Sequence, residues 1–260
     1  MIANYHTHTP RCGHASGEEK EYVEEAIRGG LKILGFSDHA PVPYKGGYSS
    51  PGVRMDVSEI EDYVDAVMRV KDEYRRDIEI HLGFEMEYYP GYIDAQLDLY
   101  RPYPIDYFLL GQHFLGDEIG CPYCGRHTED SSVLTGYCSQ TAEALKTGLF
   151  TYFAHPDLVF FTGDDELYEQ EMRRLCRTAK ELDIPLEINL LGIETNRNYP
   201  NMKFWKIAGE TGNTVILGSD AHLPENTYRP DAVREAERIV EKYRLNLIDR
   251  VGLINPFAGK

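Results

Sequence analysis

Short apolar runs alternate with longer amphipathic stretches along this chain, and the alternation repeats about seven times. Ile2, Ala3 and Tyr5 begin it as a strand, on which residues two apart share a face. Tyr22, Val23, Ala26, Ile27 and Leu31 then fall at helical spacing, with Gly29-Gly30 as the stop. Residues 33–37 form a buried strand ending at Asp38-His39. A helix comes next over 57–74, with Ser58 as its N-cap and Ile60, Val64, Val67 and Met68 as its apolar stripe. The same reading gives strands over 78–84, 106–112, 150–154, 185–189 and 214–219, and helices over 93–99, 131–147, 165–182, 202–210 and 230–243. Two stretches stay irregular, 41–56 and 114–130, and loops of that length in a compact domain are commonly functional.

Strands and helices in strict alternation, with no repeat, linker or break in composition, predict one parallel α/β domain over residues 1–260. The residues at the strand ends favour a closed barrel over an open sheet. His6 and His8, His39, Glu85, His113, His155, and Asp220 with His222 all lie at predicted strand ends, and His14 lies in the first loop. A barrel gathers such ends round one mouth, whereas an open sheet would leave several far apart.

Imidazole and carboxylate together are a ligand set for first-row divalent metals. Seven of the chain's nine histidines belong to this set, and only His81 and His127 fall outside it. One zinc site takes about three protein groups plus water. Nine groups therefore suit two or three metals, with a carboxylate bridging two of them. Buried together without metal they would be unpaired polar groups, each costing about 1–3 kcal/mol.

Composition narrows the function classes. Apolar residues make up 42% and charged residues 27%, normal for a globular protein. No apolar run approaches the roughly 18–20 residues that span a bilayer, and no basic-then-apolar leader opens the chain, so a cytoplasmic protein without a membrane partner is expected. The net charge of −16, from 43 acidic against 27 basic side chains, argues against nucleic-acid binding. A small phosphorylated substrate stays compatible, because bound metal reverses the local sign. Cys121-Pro122-Tyr123-Cys124 is half of a zinc-ribbon pattern or a redox pair, but it lies in a Gly-rich loop and has no second pair at motif spacing.

His6-Thr7-His8-Thr9, Gly35-Phe36-Ser37-Asp38-His39, Gly83-Phe84-Glu85, Gly111-Gln112-His113, Ala154-His155-Pro156-Asp157 and Gly218-Ser219-Asp220-Ala221-His222 occur in that order. As a series they resemble the motifs of the polymerase and histidinol phosphatase (PHP) superfamily. Arg11-Cys12-Gly13-His14-Ala15 and Gly52-Val53-Arg54-Met55 resemble its histidinol-phosphatase branch more narrowly. The resemblance implies a distorted (β/α)7 barrel with a trinuclear metal centre at its C-terminal mouth, loaded with zinc, manganese or iron. It implies a first metal on His6, His8, Glu85 and Asp220, a second on Glu85, His113 and His155, and a third on His14, His39 and His222.

The activity implied is hydrolysis of a small phosphate monoester, with L-histidinol phosphate as the expected substrate, and the metals serve to activate water at neutral pH. A nucleotide or other phosphorylated metabolite is the alternative substrate, and a metal-binding domain without turnover is the alternative class. Glu85 is the expected catalytic bridge. Asp38 is a candidate for orienting His39 or relaying a proton to the leaving alcohol, and equally for a supporting partner. Arg197, after the 185–189 strand, resembles the family's phosphate-binding arginine, and Arg54 is a second candidate; either could instead be an ordinary loop arginine.

Overall fold

In the computed structural model, which describes residues 1–258, eight parallel strands pair in chain order. They are β1 (Ala3–Asn4), β2 (Ile33–Phe36), β3 (Glu79–Met86), β4 (Tyr107–Leu110), β5 (Tyr152–Phe153), β6 (Leu186–Asn189), β7 (Thr214–Gly218) and β8 (Asn246–Leu247). Gly259 and Lys260, the end of the domain expected over 1–260, lie outside the described residues. Eight helices surround the sheet: α1 (Glu19–Arg28), α2 (Ile60–Glu73), α3 (Ile93–Tyr100), α4 (Ser131–Lys146), α5 (Asp165–Glu181), α6 (Leu190–Glu194), α7 (Met202–Thr211) and α8 (Pro230–Tyr243).

The first seven strands close on themselves just beyond β1 and β7. The His8 N–H donates to the Ala221 carbonyl at 2.9 Å, and the Ala221 N–H donates to the His6 carbonyl at 3.3 Å. This is the distorted (β/α)7 barrel expected from the sequence. The two-residue β8 is an addition that the hydrophobic pattern did not show; it pairs with the first residues of β7.

Inside the barrel, Ala3, Tyr5, Ile33, Tyr107, Leu109, Tyr152, Ala154 and Ile216 form a small core distinct from the larger one between sheet and helices. Tyr107 organises it. Its hydroxyl donates to the Tyr5 carbonyl at 2.6 Å and lies 3.2 Å from the Phe36 carbonyl. Gly35 and Gly83 make room for that ring, since a Cβ at either position would overlap it. Ile248, Val251 and Leu253 pack beneath the same core, and the Ile254 N–H donates to Thr151 Oγ1 at 3.0 Å, so the C-terminal segment seals the end of the barrel opposite the histidines.

Two details differ from the sequence reading. Asp56, not Ser58, caps the helical segment that begins at Val57: its Oδ1 accepts from the Ser58 N–H at 2.9 Å, while Glu59 accepts from the Asp56 N–H at 2.7 Å. That reciprocal pair satisfies two donors at once, which a lone serine cannot do. Ile27 and Met68, assigned to buried stripes, are each 37% exposed at the flank of their helices. Among the described residues no helix is long and apolar enough to cross a membrane.

If Tyr107 pins strands across the barrel, Tyr107→Phe strands the buried Tyr5 carbonyl. It should destabilise the fold by about 1–3 kcal/mol. The urea midpoint should fall with an unchanged slope; an unmoved midpoint would show that the hydroxyl carries no such role.

Candidate metal centre

The nine residues expected as ligands meet at the C-terminal ends of the strands. At their middle stands Glu85, in β3 and only 2% exposed. Its Oε1 is 2.6 Å from His155 Nε2 and 3.7 Å from His113 Nε2. Its Oε2 is 3.0 Å from His39 Nδ1, 3.5 Å from His6 Nε2 and 3.6 Å from His8 Nε2. Asp220 faces it across the site, with Oδ1 3.0 Å from His8 Nε2 and 3.5 Å from His6 Nε2. On the outer side, donor atoms of His14, His39 and His222 lie within 4.8 Å of one another.

Local backbone explains how short strands aim so many side chains at one point. His6 and His8 follow β1 two residues apart and so share a face, with ring centroids 5.1 Å apart. His155 and Asp220, each two residues past the end of β5 and β7, take left-handed conformations with φ of 31° and 51°. For a residue with a side chain that costs on the order of 1–3 kcal/mol and turns the chain abruptly inward. Gly111 is required next to them, because a Cβ there would overlap the Glu85 carboxylate.

A shell of acceptors fixes the imidazoles. His6 Nδ1–H donates to Glu187 Oε2 at 2.9 Å, and His8 Nδ1–H to Asp38 Oδ1 at 3.3 Å. His14 and His222 donate through Nδ1 to the carbonyls of Cys12, at 3.1 Å, and Asp220, at 3.0 Å. With Nδ1 held by an acceptor, each ring turns its Nε2 toward the centre, the nitrogen a metal would take in place of a proton. The Nε2 atoms of His6 and His222 are buried without a hydrogen-bond partner, and His8 Nε2 and Glu85 Oε2 have only ion-pair neighbours, Asp220 and His39, with no aligned hydrogen bond. Ring nitrogens without aligned partners, crowded round a carboxylate, are what a set of divalent cations would satisfy, so these residues fit the expected metals.

The electrostatics agree. Burial pushes the Glu85 carboxyl up, but His39, His113 and His6 outweigh it and hold it well below the usual range. Asp220 is held down in the same way, His6 opposing its burial first. Burial pushes His8 down, yet Asp220 and Asp38 raise it to about 9. Burial dominates at His39, lowered to about 3. The centre thus binds protons at its acidic core and excludes them at its rim, and metal competes with those core protons.

Asp38 fits its supporting alternative: it bonds the His8 ring, the His39 backbone N–H and the Thr9 hydroxyl, not the His39 imidazole, and is fully buried outside the cavity lining. One assignment changes. Arg54 is turned away from the cavity lining, with Glu87, Glu118 and the Ala40 carbonyl taking its donors. Arg197 does line the cavity of about 340 Å³ above the centre, with Tyr123, Leu191, Tyr199 and Phe114. Its Nη1 donates to the Tyr199 hydroxyl at 2.8 Å. His81 pairs with Glu79 at 3.0 Å and His127 with Thr162 at 2.6 Å, both outside the cluster. Cys121 and Cys124 are free thiols, Cys124 being buried.

Sequence reasoning missed Glu187, Asn189 and Glu87. Asn189 Nδ2 donates to Glu187 at 2.8 Å and to Asp220 at 3.0 Å, joining the two carboxylates. Glu87 accepts the N–H groups of His113 and Phe114 at 3.0 and 2.9 Å. The available signal was the spacing of two in Glu85-Met86-Glu87 and Glu187-Ile188-Asn189, which puts each pair on one face of a strand.

Known proteins share this pattern. The PHP domain pattern matches residues 4–190. A Deinococcus radiodurans protein named "Probable histidinol-phosphatase" is 30% identical over 250 residues, covering 90% of this chain and 92% of its own. The "Histidinol-phosphatase" of Bacillus subtilis is 34% identical over 116 residues, 42% of this chain and 43% of that one. In fold, the chain is similar to the histidinol phosphate phosphatase of Lactococcus lactis, solved with zinc, L-histidinol and phosphate, at a TM-score of 0.73 with 17% identity and 95% of each chain covered. With the motif order, the barrel and the ligand cluster all in agreement, the chain belongs to the PHP domain family.

Proposed function

We propose that this chain, working as a single domain, is a metal-dependent phosphomonoesterase that hydrolyses L-histidinol phosphate to L-histidinol and phosphate. The observation that carries the reading is the buried cluster of ring nitrogens of His6, His8 and His222 without aligned hydrogen-bond partners round Glu85, lying beneath a cavity that Arg197 lines. The similarity to histidinol phosphatases along nine-tenths of the chain supports the choice of alcohol.

Three divalent ions would be held as the family resemblance implies: by His6, His8, Glu85 and Asp220; by Glu85, His113 and His155; and by His14, His39 and His222. The grouping of the last three within 4.8 Å supports their share. Bound there, such ions supply Lewis acidity and water activated at neutral pH. The chain's own residues do the rest. Glu187 and Asp38 keep the protons of His6 and His8 on Nδ1. The Arg197 fork, braced by Tyr199, binds the phosphoryl oxygens and offsets the acidity of the surroundings. Tyr123, Phe114 and Leu191 form an apolar wall for the leaving group and exclude water beside it.

Chelator-treated protein should release no phosphate, and zinc, manganese or iron(II) should restore release. Among phosphorylated metabolites, L-histidinol phosphate should give the highest kcat/KM; faster turnover of a nucleotide would replace the substrate assignment. Glu85→Gln should lower kcat on the order of a thousandfold, with metal lost in parallel by elemental analysis. Arg197→Ala should retain its metals and chiefly raise KM. Metal loss in the arginine variant, or wild-type kinetics, would remove Arg197 from the phosphate.

A further inference from the structure

The two long loops were the least informative parts of the sequence, and the structure joins them through one buried network. Among the described residues, Glu118, on the 114–130 loop and 7% exposed, accepts only from the 41–56 loop: Arg54 Nε at 2.9 Å, the Tyr44 hydroxyl at 3.2 Å and the Tyr48 hydroxyl at 3.2 Å. The rest of the Arg54 fork reaches inward. Nη1 donates to the Ala40 carbonyl at 3.0 Å, one residue beyond His39, and Nη2 donates to Glu87 Oε1 at 2.7 Å. Glu87 in turn holds the backbone of His113 and Phe114.

The loops' share of the cavity gives this network a purpose. Gly52 and Val53, immediately before Arg54, line it on one side; Phe114 and Tyr123 line it on another. Gly52 is also wedged against the turn that carries His14, where a Cβ on Gly13 would come within 2.7 Å of the Gly52 Cα. Tyr123 stacks on His113, with rings 6.5 Å apart and 10° from parallel. The two walls are thus loops bonded to each other through Arg54 and Glu118.

We propose that Arg54 is a positioning residue that, with Glu118, clamps the 41–56 and 114–130 loops together and so holds both walls of the cavity around the leaving alcohol. The guanidinium suits the task because its planar fork can bond three acceptors in fixed directions, and a buried arginine with two carboxylates has no freedom to reach a substrate. The statement that the walls meet the alcohol rests on the proposed phosphomonoesterase; the clamp itself does not.

Amide hydrogen exchange on the metal-free chain tests the clamp separately from the reaction. Glu118→Ala and Arg54→Met should each speed exchange in both loops by about tenfold, the scale of one lost charged hydrogen bond, while barrel strands stay protected. Exchange that rises in one loop alone, or in neither, overturns the clamp. Should Arg54→Met fail to fold, Glu118→Ala decides alone, since Glu118 touches no proposed ligand. In Glu118→Ala, KM for L-histidinol phosphate should rise about tenfold, while inhibition by inorganic phosphate, which lacks the alcohol, should stay within about twofold. Glu118→Gln, which keeps an acceptor, should recover part of the lost KM. Equal weakening of substrate and phosphate would overturn the assignment of these walls to the alcohol, whatever the exchange shows.

Discussion

A buried carboxylate surrounded by imidazoles is the constraint on which this molecule turns. Glu85 is out of water, and five histidine rings approach it within 3.7 Å. Such a group is costly unless countercharge is supplied, and breaking buried compensation costs about 3–5 kcal/mol. Part of the compensation is protonic, as the raised affinities of His6 and His8 indicate. The remainder is left to whatever cations enter beside the unpartnered nitrogens. The fold is built round that need: seven strand ends, two left-handed residues in His155 and Asp220, and a glycine cut to the carboxylate's shape.

Closure of the barrel and construction of the site are the same event. The backbone bonds joining the ends of β1 and β7 involve His6, His8 and Ala221, residues of the ligand motifs or between them. Glu187 on β6 can steady His6, 181 positions earlier in the chain, only because β7 returns to β1. At the opposite end, Tyr107 and the C-terminal segment fill and seal the interior. The stable floor and the polar mouth are thus separated along the strands, which lets the mouth carry strain and unsatisfied polar groups that the floor offsets.

The fold class and the gathering of these histidines and carboxylates at one mouth were legible in sequence because both rest on local periodicity. Apolar strands announce their own ends, and histidines two apart after a strand announce a shared face. The features that were not legible depend on partners distant in sequence. Glu187 lies within an apolar strand and gains its role only beside His6. Arg54 sits in a Pro- and Gly-rich loop, where an arginine reads as free to bind substrate, until Glu118, from 64 positions away, takes up its Nε. Asp38 adjoins His39 in sequence but bonds the His8 ring, since neighbours on a strand face opposite sides. The strand β8 has two residues, too few for any period to show.

The central claim is that this cluster is a metal centre organised on Glu85. Anomalous diffraction at the zinc edge, from crystals of the chain loaded with zinc, tests it most directly. The account predicts two or three peaks within about 2.0–2.3 Å of ligand atoms, one of them among His14, His39 and His222 and the others sharing Glu85. Zinc found only on surface carboxylates, or a single ion that leaves Glu85 without metal, would contradict it.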